Sequence, residues 1–117
     1  MEKENFNINE ALSRLDGDAG LLRELAGLFL ENYPAQLEGI QSAVAQNDSK
    51  ALENAAHNIK GSAGVICAKP VFEVAQRLEI MGKENNLTSV KEMYATLEKE
   101  LGRLRSKLEA IIVENPL

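Results

Sequence analysis

The chain is poor in the residues that hold many small domains together. Of its 117 residues, 4% are aromatic, none is tryptophan, and one is cysteine, Cys67. A lone cysteine cannot form an internal disulfide, which agrees with a reducing cytoplasm. With 44% apolar residues and few aromatics, leucine, alanine and isoleucine must build the interior. This composition favours closely packed helices over a β-sandwich.

The chain also lacks a net positive charge and long apolar runs. The net charge of -5 is opposite to the basic footprint of a nucleic-acid-binding protein and disfavours anionic membranes. No apolar stretch approaches the roughly 20 residues that cross a bilayer, and the charged N-terminus precedes no signal-peptide core. We therefore expect one cytoplasmic domain over residues 1–117, a monomer without nucleic-acid partner or membrane contact by this segment.

Apolar residues recur at intervals of three and four along most of the chain, which is the spacing of amphipathic helices. Phe6 and Asn7 are typical of a hydrophobic staple and an N-cap. Short connections between the long segments predict an all-α fold, an antiparallel up-down-up-down four-helix bundle with a short extra N-terminal helix. We predict a short helix from Asn7 to near Leu15, a turn at Asp16-Gly17-Asp18, and then a long helix with a kink or brief break before Pro34 that is closed by Gln46-Asn47-Asp48-Ser49. The remaining predicted helices run from about Ser49 to Cys67, from Pro70 to about Gly82–Asn86, and onward from Ser89.

The only histidine, His57, lies within the third predicted helix. On a helical wheel of about 100° per residue, the apolar residues of this segment form one stripe, and His57 lies about 150° from its centre. Lys60, Gly61 and Gly64 fall on the same side of the wheel as the imidazole. The outward face therefore offers an imidazole, a cation one turn away and a backbone without side chains.

The two glycines are unexpected in a helix, where each costs about 1 kcal/mol relative to alanine. An exposed face has no packing reason for such a cost. Gly61 and Gly64 are explained if the backbone of another protein must approach His57 closely. Leucine and phenylalanine near the start of the second helix could add a small apolar patch for the same partner.

These residues resemble the histidine phosphotransfer domains of phosphorelays, whose motif is approximately Ala-His-x-Leu-Lys-Gly-Ser-Ala-x-x-Leu-Gly-Ala. Residues 56–68 read Ala-His-Asn-Ile-Lys-Gly-Ser-Ala-Gly-Val-Ile-Cys-Ala, so that Ile59 replaces a leucine and Cys67 a glycine. The family's small residue followed by Leu-Glu in the next helix is matched by Ala75, Leu78 and Glu79.

The resemblance implies that His57 accepts a phosphoryl group from a receiver-domain aspartate and passes it to another receiver, while Lys60 stabilises the phosphate. Imidazole has a reference pKa near 6.5 and offers an unprotonated nitrogen at neutral pH. The sequence contains no nucleotide-binding motif. We therefore expect a phosphoryl carrier rather than an enzyme, with no cofactor or metal of its own and with Mg²⁺ on the partner receiver. A membrane tether is expected only if the domain is part of a hybrid sensor kinase.

Other interpretations remain open at this point. A chemotaxis-type kinase could phosphorylate the same fold directly from ATP, and a helical adaptor could bind receivers without transfer. Glu53, one turn before His57, could accept a hydrogen bond from the ring, although a solvated carboxylate is the simpler interpretation. Cys67 lies ten residues from His57, which is not a spacing that places two metal ligands on one helix face, so we interpret it as a packed small hydrophobe.

Overall fold

The computed structural model describes residues 7–114, which form five helices and no strand. α2 packs against α3 and α5, and α4 packs against the same two helices, so the four long helices close a ring. Short connections reverse the chain between them, and α1 contacts α2. The predicted helical bundle is confirmed. Phe6 lies outside the described residues. The helices are α1 Ile8–Arg14, α2 Ala19–Ala45, α3 Ser49–Val65, α4 Lys69–Lys83 and α5 Val90–Glu114.

Side-chain caps fix where the first three helices begin. The Asn7 side chain accepts from Glu10 N at 3.1 Å, Asp18 from Leu21 N at 2.9 Å, and Asp48 from Ala51 N at 3.0 Å. Each carboxylate or amide oxygen satisfies a backbone donor that has no partner within its helix. The predicted start of α3 near Ser49 is thereby confirmed, with Asp48 as the cap.

Of the two alternatives predicted before Pro34, a kink or a brief break, the break is wrong, because α2 continues from Ala19 to Ala45 with Pro34 inside it. A proline in a helix removes one hydrogen bond, the one to the carbonyl four residues earlier, here Leu30. Pro34 is exposed, so water has access to this part of the helix. The packing of α2 on both sides of the proline keeps the helix in one piece.

α3 ends at Val65, two residues before the predicted end at Cys67. Cys67 has a φ of 59°, in the left-handed region that disfavours residues with a Cβ. This conformation explains why related sequences would place a glycine at this position. Cys67 is only 6% exposed and belongs to the hydrophobic core, so it is packed as expected.

The core is aliphatic, and it sets the orientation of α3. The predicted apolar stripe faces inward, with Ala55 partly buried and its other five members buried: Leu52, Ala56, Ile59, Ala63 and Ile66. Across the bundle, α5 contributes Leu97, Leu101, Leu104 and Leu108, each at most 1% exposed. Burial of these side chains, worth about 1.5–3 kcal/mol each, holds the opposite face of α3 in solvent.

Gly82 allows α3 and α4 to approach closely near the start of α3. A Cβ added at Gly82 would lie 2.6 Å from both Glu53 N and Ser49 O. Only glycine fits between these backbones without displacing one of them. Glu79 lies one turn before Gly82 on α4, and His57 lies one turn after Glu53 on α3. The close approach of the two helices therefore brings the Glu79 and His57 side chains together.

We expect Gly82→Ala to lower the free energy of unfolding by about 1–3 kcal/mol, because the new methyl group must push two backbones apart. The matched control is Gly102→Ala on α5, where an added Cβ would contact nothing within 4 Å. That substitution is expected to stabilise the protein by up to about 1 kcal/mol. Urea denaturation measures both, and a Gly82→Ala protein as stable as the control would contradict the close approach.

Candidate functional site

His57 lies on the solvent-facing side of α3, as the helical wheel predicts. Its side chain is 65% exposed, and its Nδ1 lies 2.8 Å from Glu79 Oε2 on α4. The alternative partner, Glu53, is the wrong one, because its carboxylate lies 3.5 Å from Lys50 Nζ. The ring is therefore anchored by the neighbouring helix.

Glu79 also holds Lys60, the second predicted site residue. Lys60 Nζ lies 2.5 Å from Glu79 Oε1, and both side chains are largely buried, at 21% and 18% exposed. The ammonium lies 5.9 Å from the centroid of the Phe72 ring, within cation–π range. Lys60 is thus held beside His57 by a carboxylate that uses one oxygen for each partner.

The charge of Glu79 decides which nitrogen of His57 is free. The hydrogen bond from Lys60 is the main cause that lowers the pKa of Glu79, burial opposes it, and the bond from His57 adds to the lowering. The carboxylate is therefore ionised at neutral pH and can only accept hydrogen bonds. His57 Nδ1 must donate, so the lone pair lies on Nε2 of the exposed ring.

The two predicted approach glycines have different surroundings. A Cβ at Gly61 would contact nothing within 4 Å, so this position is open beside His57. A Cβ at Gly64 would lie 3.5 Å from the Phe72 ring, an ordinary contact with α4. Gly61 leaves room for an approaching molecule, whereas Gly64 is already partly covered by Phe72.

An apolar surface lies next to Gly61, between α2 and α3. Leu28 and Val65 are 51% and 59% exposed, and they border a shallow cavity of about 160 Å³. The remaining lining residues are Leu25, Phe29, Asn32, Ser62 and Ile66. The sequence predicted a small apolar patch on α2 but not which side chains form it. We call Leu28, Val65 and this cavity the apolar patch.

Ser62 has a structural role within the same segment. Gln36 Nε2 of α2 donates to Ser62 Oγ at 3.0 Å, and this hydroxyl donates to Asn58 O at 3.3 Å. The serine of the motif thus joins α2 to α3 through a polar contact in a mainly apolar interface. Sequence reasoning missed this role, because the partner lies 26 residues away.

Cys67, which was considered beside His57 as a possible metal ligand, contacts a different helix. Its Sγ is 3.4 Å from Arg14 Nη1 of α1. Within residues 7–114, no group of three histidine, cysteine or acidic side chains could hold a metal ion. Over the same range, no helix is both long and apolar enough to span a bilayer.

Comparison with family models assigns the chain to a class. The model described as Hpt domain matches residues 24–107, which include all four predicted site residues. The chain therefore belongs to the Hpt domain family, and it has a histidine phosphotransfer role in phosphorelays. Domains of this family carry phosphoryl groups and are not ATP-binding kinases.

Solved structures show the same fold at low sequence identity. Histidine-containing phosphotransfer protein B from Pseudomonas aeruginosa PAO1 is 16% identical with a TM-score of 0.88, over 98% of this chain and all of that one. The HPT domain of a sensor hybrid histidine kinase from Shewanella is 19% identical with a TM-score of 0.87, over 97% and 98% of the two chains. The comparison with curated protein sequences gives no significant match.

The depressed pKa of Glu79 makes part of the stability depend on pH. Stability from this carboxylate is complete above its unfolded pKa, about 4.3, and is lost as the pH falls through its lower folded pKa. We expect Glu79→Gln to be less stable than wild type at pH 7, with the difference shrinking below about pH 4.3.

Urea denaturation between pH 7 and pH 3 measures this difference. Glu53→Gln is the matched control, since it removes a carboxylate that contacts Lys50 rather than His57 and Lys60. A difference between wild type and Glu79→Gln that stays constant over the whole range would show that the pairing of Glu79 does not stabilise the fold.

Proposed function

We propose that Nε2 of His57 is the atom that accepts and donates the phosphoryl group. The observation that carries this proposal is the hydrogen bond from Nδ1 to Glu79, which leaves the lone pair on Nε2 of a side chain 65% exposed. Of the family's functions, reversible transfer between receiver aspartates fits this geometry best, since the chain supplies a nucleophile and a cation.

In the proposed reaction, the Nε2 lone pair forms a bond to phosphorus as the bond to the receiver aspartate breaks. The leaving electron pair returns to the carboxylate of that aspartate. Lys60 attracts the phosphoryl oxygens, and a Mg²⁺ ion held by the receiver would neutralise the remaining charge. This chain contributes the nucleophile, its position and one positive charge, and the reverse of the same step passes the group to a second receiver.

The receiver docks over Gly61 and the apolar patch. Gly61 offers backbone without a side chain next to the nucleophile, and Leu28 and Val65 offer apolar area that a partner would remove from water. Gly64 lies at the margin of this surface. Close approach of the receiver backbone to the backbone at Gly61 places the aspartyl phosphate of the receiver opposite Nε2 of His57.

The same chemistry serves a free-standing carrier and a module of a hybrid sensor kinase. Residues 1–117 act as one monomeric domain on the cytoplasmic side of the membrane. In a hybrid kinase, another segment of that protein would supply the membrane tether.

Phosphotransfer from receiver domains carrying labelled aspartyl phosphate tests the role of His57. Wild type acquires acid-labile label within the mixing time, and His57→Gln acquires none. Lys60→Ala transfers on the order of 10-fold more slowly, since the positive charge that attracts the phosphoryl oxygens is lost. Label on His57→Gln would refute the assignment. Label that arrives only from an ATP-loaded kinase domain would favour the chemotaxis-type alternative.

Replacing the exposed apolar residues tests the docking surface. We expect Leu28→Glu and Val65→Glu each to weaken receiver binding about tenfold or more, because a charge would be buried against the partner. Val113→Glu is the control, a residue 76% exposed near the end of α5. Titration calorimetry with a transfer-competent receiver compares the three. Equal affinities would place the receiver elsewhere.

A further inference from the structure

His57 carries its Nδ1 proton before phosphate arrives, and this has a consequence for the product. Formation of the bond from Nε2 to phosphorus removes no proton from Nδ1, so the ring becomes a positively charged phosphoimidazolium. Return transfer from this form expels neutral imidazole. If the Nδ1 proton were lost, return transfer would have to expel imidazolate, a much poorer leaving group. The protonation state of Nδ1 thus decides whether phosphorylated His57 is a good donor.

We propose that Glu79 is a positioning residue that keeps the proton on Nδ1 of phosphorylated His57 and so holds the phosphoryl group in a transferable form. The proposal rests on the proposed role of His57. Its geometric basis is the 2.8 Å contact between Nδ1 and Glu79 Oε2 and the limited exposure of the carboxylate, 18%. An opposite charge this close to an imidazolium favours the charged ring.

The charged groups around the ring come from α3 and α4. On α3, Lys60 shares Glu79 with His57, and Glu53 is paired with Lys50. On α4 the group in contact is Glu79 itself. α2 packs on α3, with the hydrogen bond from Gln36 to Ser62 and the approach of Gly39 to Ala55. The carboxylate of Glu79 is the group that acts on Nδ1 directly.

The charges of Glu79 and Lys60 have opposite effects on the phosphorylated ring. Its charge stabilises the proton on Nδ1, whereas the ammonium of Lys60 disfavours a second positive charge nearby. Removal of Lys60 therefore leaves the Nδ1 proton as firmly held as before, or more firmly. Removal of the charge of Glu79 releases it. This difference in sign separates the proposal from a role of Glu79 in merely placing Lys60.

The experiment uses the full chain phosphorylated chemically with phosphoramidate, so that no receiver is needed. Because His57 is the only histidine, ¹⁵N signals from histidine rings all come from this residue. The signals show which nitrogen carries phosphate and at what pH Nδ1 loses its proton. Glu79→Gln keeps a carbonyl oxygen that can accept from Nδ1 but removes the charge. Lys60→Gln and Glu53→Gln are the matched comparisons.

We expect Glu79→Gln to lower the pH midpoint for loss of the Nδ1 proton by about one unit or more. Above both midpoints, one unit corresponds to about tenfold less protonated ring, so phosphate transfer to an unphosphorylated receiver should slow about tenfold there. Glu53→Gln should match wild type, and Lys60→Gln should have an equal or higher midpoint.

Two results would overturn the proposal: a midpoint in Glu79→Gln equal to that of wild type, or a fall of the same size in Lys60→Gln. The second would show that Glu79 acts through Lys60. Failure of the proposed function has a different signature, namely no phosphate on His57 in wild type or phosphate on Nδ1 instead of Nε2.

Discussion

The arrangement of the site depends on the close approach of α3 and α4 at Gly82. His57 and Lys60 come from one helix and Glu79 from the other, and a carboxylate can bridge both only where the backbones nearly touch. Burial of the apolar stripe in the aliphatic core fixes the rotation of α3 about its axis, so that His57 and Lys60 face α4 and solvent. The orientation of the His57 ring and the position of Lys60 both follow from this one contact between helices.

Much of this could be read from the sequence, because it depends on local rules. The apolar stripe of α3 has a period of 3.6, so the wheel gives both its buried face and the exposure of His57. Asn7, Asp18 and Asp48 cap helices through bonds to residues three positions ahead. Local rules left open whether α2 bends or breaks before Pro34, since tertiary packing can outweigh the local cost of proline.

Contacts between helices required the structure. A wheel of α3 places Lys60 near His57 but says nothing about Glu79, 22 residues away from His57. The match of Leu78 and Glu79 to the Leu-Glu of the family pattern indicated that Glu79 has a role, but it did not indicate which role. Gly61 and Gly64 look alike in sequence, yet only the position of Phe72 on α4 separates an open glycine from a covered one.

The connections between helices have a property in common. Each of the four contains a residue other than glycine with positive φ, namely Asp16, Asn47, Cys67 and Asn85. Such a conformation costs on the order of 1–3 kcal/mol and persists where the surroundings determine it. Tight reversals of this kind give the chain few alternative paths between helices. A carrier that serves successive partners then presents the same backbone to each of them. Discrimination between receivers must therefore come from side chains on a fixed surface rather than from loops that reshape to fit.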